Sequence, residues 1–292
     1  MKRNHPMLAG FFLFWTFLLV VFNSCKEIPP YIDFTETLSD TTYVDIVESP
    51  QIRLVILEEF TGVRCVNCPA GHEVSKALLA ANPNRFAYMV LHAGFLTQPY
   101  ADSQQQFVID ETTFLYDFLE VPAVPAAAIN RVQYSGENFL SILNPNSWGA
   151  KVALELQKPT PVNLTLSSEY DSNNRNLRIT ARIHYTQEVS ADNNLSLFLA
   201  ESHIVDPQLI PDGTSSIVNL EYEHNHVVRK MLTAPQGLVL NVEKIPGRVV
   251  VKVFEITLPE AWNADNCEVI GFVHNAGVNK EILQGATIKI VE

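Results

Sequence analysis

The chain has 292 residues, 47% hydrophobic and 10% aromatic, enough to bury substantial cores and to exclude global disorder. Its formal charge is −12, with 32 acidic against 20 basic residues. That balance disfavours a nucleic-acid partner, because phosphate binding needs a basic face.

Lys2 and Arg3 precede an almost wholly apolar run from Met7 to Phe22. The run is shorter than the ~20 residues a spanning helix needs, so residues 1–24 read as an export signal. Phe22-Asn23-Ser24-Cys25 resembles a bacterial lipoprotein cleavage site, with Phe22 where Leu is more usual. The resemblance implies that Cys25 is lipidated and holds the chain to a membrane; an ordinary signal peptide or an uncleaved anchor is the alternative. Loss of residues 1–24 leaves 18 basic against 32 acidic residues, a charge of −14. Lys26-Glu27 lack the aspartate that retains many lipoproteins on an inner membrane, and faintly resemble a surface-export tag of Bacteroidetes-type lipoproteins. An outer-membrane location is expected, with its face open.

Residues 25–50 are polar and threonine-rich, contain Pro29-Pro30, and read as a tether. At roughly 100–200 residues per domain, the remainder suits two domains. In residues 51–158, Leu54-Val55-Ile56-Leu57 is a continuous apolar run expected of a central strand covered on both faces. A helix is expected from Cys65 to about Ala81, with Pro69 in its first turn and Asn82-Pro83-Asn84 as its stop. Phe86 to His92 reads as a strand and Ser103 to Leu119 as a helix. Val124-Pro125 then leads into a short strand over Ala127 to Ile129, and Trp148, Val152 and Leu156 carry a third helical pattern. This order of elements resembles a thioredoxin-like α/β domain. From 159 to 292 the texture changes to period-two alternation, over Val162–Tyr170, Asn176–Thr186, Leu195–Ile204, Arg248–Leu258 and others. Seven or eight such strands suggest an all-β, immunoglobulin-like sandwich.

Chemistry concentrates at Cys65-Val66-Asn67-Cys68-Pro69. A thiol where a helix begins meets unpaired N–H groups and the positive end of the dipole, both of which favour the thiolate. A second cysteine three residues on can close a disulfide and release a bound partner. Without a second CxxC or a nearby ligand set, redox chemistry is favoured over zinc in an oxidising envelope, and no cofactor is expected. Arg64 either supports the thiolate or points to water. His224 and His226 fall on one face of an expected strand but lack an evident third metal ligand. Cys267 reads as a buried apolar filler.

In thioredoxins, the residue six positions before the first cysteine is a buried acid that relays a proton to or from the second cysteine. Glu59 matches that offset, though a solvent-facing Glu59 is the other reading, since Glu58 and Glu59 must point opposite ways. The same resemblance assigns the cis-proline opposite the cysteines to Pro125, with Pro122 as competitor. Glu59-Phe60-Thr61-Gly62 ahead of the CxxC, Val124-Pro125 running into Asn130-Arg131, and Asn225-His226-Val227-Val228-Arg229 together resemble the outer membrane protein 28-related family of Bacteroidetes-type envelope lipoproteins. That resemblance implies outer-membrane association and a thioredoxin-like domain. The expected function is thiol–disulfide exchange on envelope proteins, with Cys65 attacking, Cys68 resolving, Glu59 shuttling the proton and Pro125 holding the substrate. The rival is a surface binding or adhesive lipoprotein whose disulfide is structural. Between the cysteines, Val66 and Asn67 leave the redox direction open.

Overall fold

In the computed structural model, which describes residues 37–291, the strands are β1 (Thr37–Val44), β2 (Val55–Thr61), β3 (Phe86–His92), β4 (Ala126–Ile129), β5 (Ser141–Ile142), β6 (Val162–Asp171), β7 (Asn176–Tyr185), β8 (Asn193–Glu201) and β9 (Ile204–Val205). They continue as β10 (Gln208–Asp212), β11 (Ser215–Asn219), β12 (Glu223–His224), β13 (Val227–Met231), β14 (Leu238–Val239), β15 (Arg248–Thr257), β16 (Cys267–Asn275) and β17 (Ile282–Lys289). Three α-helices interrupt them among the described residues: α1 (Cys68–Ala81), α2 (Asp110–Phe118) and α3 (Trp148–Glu155). The protein is thus rich in β-structure with few helices. The export signal and the lipidation site expected at Cys25 lie outside the described residues.

The largest sheet runs β17-β16-β8-β13-β3-β2-β4-β5, with β14 added beside β8. All seven positions of β2 are buried, as its unbroken apolar run requires of a strand covered on both faces. On one side, Val55, Leu57, Tyr88 and Ile129 pack under α1 and α3, with Trp148 as the largest filler. On the other, Ile56, Phe60, Met89 and Leu91 pack under α2 and continue into Phe198, Ile270 and Phe272 of β8 and β16. A second, four-stranded sheet in the order β1-β15-β7-β6 lies against Leu195, Leu197, Leu199 and Val269.

The boundary expected at 158 marks the change of sequence texture, but the sheet does not stop there. β13 pairs parallel with β3 at Val227 and Val90, and Val90 N–H donates 2.8 Å to His226 O. β13 then pairs antiparallel with β8. The described residues, 37–291, accordingly form one compact unit.

Three local expectations need correction. The helix begins at Cys68, so Cys65 sits in the preceding turn; Cys68 N–H donates to Cys65 O at 3.2 Å. The second helix begins at Asp110 rather than Ser103. Residues upstream of it are held by long-range partners instead, with Gln104 N–H on Asp206 Oδ1 and Gln105 Oε1 accepting from Arg229. The tether contains a strand, β1, an edge partner of β15. Its described side chains from residue 41 onward are exposed, so it shows none of the apolar alternation that reveals a strand.

Candidate functional site

β2 delivers Glu59, Thr61 and the loop that carries the cysteines to one end of the large sheet. Gly62 is required there by close approach: a Cβ at this position would meet Leu96 O at 2.5 Å, and that carbonyl accepts from Arg64 N–H. Cys65 and Cys68 form a disulfide. α1 turns a face of small residues, Cys68, Gly71 and Ser75, toward the sheet, which lets the helix lie close over β2.

Beneath that face lies Glu59. Its carboxyl has no exposed surface, Oε2 accepts a 2.6 Å bond from the Ser75 hydroxyl, and Oε1 has no hydrogen-bond partner among the described residues. Burial pushes its pKa up to about 8, and the Ser75 bond opposes this only in part. Glu58 occupies the other side of the sheet and is equally buried, in a bidentate pair with Arg131 at 2.6 and 2.7 Å. The choice between a buried and a solvent-facing Glu59 resolves as buried, because both faces of β2 are covered.

The Val124–Pro125 peptide is cis and Pro125 packs across from α1, where a Cβ on Gly71 would lie 3.5 Å from Pro125 Cβ and 2.7 Å from Glu59 Oε1. Gly71 therefore sits between Glu59 and Pro125, and the structure brings both against the helix that starts with Cys68.

Access to the sulfur differs from expectation. Cys65 is 3% exposed and Cys68 is fully buried. The cover comes from β10: Leu209 N–H donates to Val63 O at 2.8 Å, and the Gln208 amide donates to Gly62 O and Cys65 O at 3.3 and 3.1 Å. Arg64 does not face the sulfur; it bonds the carbonyls of Gln98 and Pro99 and lies 4.3 Å over the Tyr100 ring.

Sequence reading missed the residues that the second half contributes here. His72 Nδ1 lies 2.7 Å from Tyr222 Oη, and Nε2 lies 3.1 Å from Thr61 Oγ1. His224 and His226 do not share a strand face: His224 is on β12 and bonds Asp206 O, whereas His226 has φ 53° and pairs with Glu268. Among the described residues, no three His, Cys, Asp or Glu side chains are placed to hold a metal. Cys267 is a buried free thiol, with burial pushing its pKa up to about 12. No local pattern pairs Tyr222 with His72, because 150 residues separate them.

A family model for outer membrane protein Omp28 matches residues 112–291. The chain belongs to the Omp28 family. The matched region carries Pro125, Asn130-Arg131 and the whole second half but begins after Cys68, so membership speaks to the outer-membrane class and not to the disulfide. No curated protein matches the sequence. Among solved structures, HBP35 of Porphyromonas gingivalis is similar with a TM-score of 0.63 at 18% identity, over 85% of this chain and 77% of that one. Protein AGR_C_4864 from Agrobacterium tumefaciens is similar at a TM-score of 0.52 and 10% identity, over 83% and 97%. At these identities the likeness is one of fold. Omp28 membership supports an envelope setting for this chain.

Proposed function

We propose that this Omp28-family chain is a lipid-anchored outer-membrane protein that performs thiol–disulfide exchange on envelope proteins. In this reading Cys25 carries the lipid, the first half is thioredoxin-like and the second is an immunoglobulin-like sandwich fused to its sheet. The observation that carries the reading is the Cys65–Cys68 disulfide leading into a helix packed on a buried carboxyl whose pKa is raised to about 8. A group that changes protonation near neutral pH under an exchanging dithiol suits proton transfer.

In the reduced protein, the Cys65 thiolate attacks a partner disulfide, forming a mixed disulfide and releasing one partner thiolate. Cys68 gives its proton to the Glu59 carboxylate and attacks Cys65 Sγ. The Cys65–Cys68 bond closes, the second partner thiolate leaves, and the partner is reduced by two electrons. Pro125 borders the path of the partner chain. Because β10 covers Cys65, exchange requires this strand to lift.

Trapping tests the reading. Cys68→Ala should accumulate mixed disulfides through Cys65 in the envelope; absence of any adduct, together with no turnover of a model disulfide, defeats it. The burial of Cys65 favours a second reading, a structural clamp in a surface binding protein. A reduction potential below about −300 mV would select the clamp.

A further inference from the structure

The buried Glu59 carboxyl has a side-chain route to the surface. His72 Nε2 lies 3.7 Å from Glu59 Oε1, the oxygen without a hydrogen-bond partner among the described residues. On the far side of the same ring, Nδ1 meets Tyr222 Oη at 2.7 Å. Tyr222 and His72 both line a cleft of about 320 Å³, together with Lys76, Tyr88 and His224. The order is carboxyl, imidazole, phenol, cleft. Only the first step exceeds hydrogen-bond range, and closing it takes a shift of less than ~1 Å.

We propose that His72 and Tyr222 conduct protons between Glu59 and the solvent of this cleft, as positioning residues that set how fast the carboxyl changes protonation. The inference deepens the thiol–disulfide reading and rests on it for its chemical purpose. In the inward direction, His72 Nε2–H leaves its 3.1 Å contact with Thr61 Oγ1 and passes its proton to Glu59 Oε1, while Tyr222 passes its hydroxyl proton to His72 Nδ1. A cleft water then reprotonates Tyr222. One proton leaves solvent, one arrives on Glu59, and His72 ends as its other neutral tautomer. The outward direction reverses each transfer and restores the first tautomer, so alternating half-reactions reset the route.

The surroundings favour this neutral, coupled transfer over an imidazolium. Burial and the neighbouring His224 hold the His72 pKa down to about 3. Burial, followed by Glu59 and Glu73, holds the Tyr222 phenol protonated. Tyr88 of β3 is likewise kept neutral by burial and by the nearby Glu59 and Glu268. Charge is thus kept off the interior of the route, while the exposed Glu73, Lys76 and Glu223 line the cleft. Tyr222 belongs to the same segment, β9 to β12, whose strand β10 covers Cys65, so the cover also supplies the outer end of the path.

Rapid-mixing infrared spectroscopy tests this on the full-length disulfide form, moved from H2O into D2O near pH 6. The probe is the carbonyl stretch of the protonated Glu59 carboxyl, assigned by its loss in Glu59→Gln. Tyr222→Phe and His72→Gln should each slow its deuteration about tenfold or more. Tyr222→Phe keeps the ring and its packing, which separates loss of the hydroxyl from loss of fold. An unchanged rate in either folded variant overturns the proposal. The measurement needs no redox turnover, so failure of the trapping experiment and failure of the proton route are read separately.

Discussion

Glu59 shows how far a single position is governed by its surroundings. Its ordinary carboxylate pKa of 4.5 is moved to about 8 by burial. The folded protein therefore holds a proton that the unfolded chain releases, and stability falls as pH rises through the interval between those values. Glu59→Gln should remove this slope, worth on the order of a few kcal/mol, in urea denaturation compared at about pH 5 and pH 8; an unaltered slope would place the titration elsewhere. Arg131 is the complementary case. It pairs with Glu58, stacks 5.0 Å from the Phe272 ring centroid, and has no exposed surface to relax into. Arg131→Leu leaves a bare buried carboxylate and should cost ~3–5 kcal/mol by the same assay, with Glu58→Gln on top restoring part of it. Glu59 as a candidate was legible from its offset to Cys65. The partner of Glu58 was not, because 73 residues separate the two charges and only the sheet brings them together.

At the scale of elements, some strands with a continuous or alternating apolar pattern were readable almost to the residue, whereas the last one, expected over Ala286–Val291, runs Ile282–Lys289. Phe86–His92 coincides with its expected span, and the pattern over Asn176–Thr186 ends one residue past β7. The β10–β11 hairpin was not readable, since its outer residues are largely exposed and its role lies in one backbone bond and two bonds from the Gln208 side chain to the cysteine loop. Gln208 anchors that cover. Gln208→Ala should raise the rate at which dithiothreitol reduces Cys65–Cys68 by about tenfold, measured by mass shift after alkylation; an unchanged rate would mean that β10 does not limit access. The histidines around the site form another element-level feature. Burial, helped at His72 and His92 by the neighbouring His224, depresses the pKa of His72 to about 3, of His224 to about 4 and of His92 well below its ordinary value. Unfolding lets them take up protons, so stability should drop as pH falls from about 6.5 toward 4, and His92→Phe should blunt that loss.

Across the whole molecule, the decisive contact is the seam between β3 and β13. The Asn225-to-Arg229 string builds it: the Asn225 side chain accepts from His203 N–H, His226 O accepts from Val90, Val227 and Val228 are buried, and Arg229 lies 3.6 Å from Glu201. Asn130-Arg131 ties the same sheet together from the other end, with Asn130 bonding Ile56, Glu155 and Ile282. One shared sheet implies one cooperative transition. In a chain shortened by residues 1–24, which carry Trp15, Trp148 reports on the first half and Trp262 on the second. Single-tryptophan variants, Trp262→Phe and Trp148→Phe, should give coincident urea midpoints once each substitution's own cost is measured by circular dichroism. Two separate midpoints within one variant, by fluorescence and circular dichroism, would mean that the halves unfold independently.

The order of the main strands and helices, the change of texture near residue 158, the CxxC with its candidate acid by offset, and the Omp28 resemblance were all written in local pattern. Periodicity, turn residues and short spacings are properties of neighbouring positions, and a linear reading captures them. The fusion of two halves into one sheet, the cover over Cys65, the Glu58–Arg131 pair and the approach of Tyr222 to His72 depended on tertiary structure. Each joins residues far apart in sequence through hydrogen bonds and burial, and no local pattern carries the identity of a distant partner.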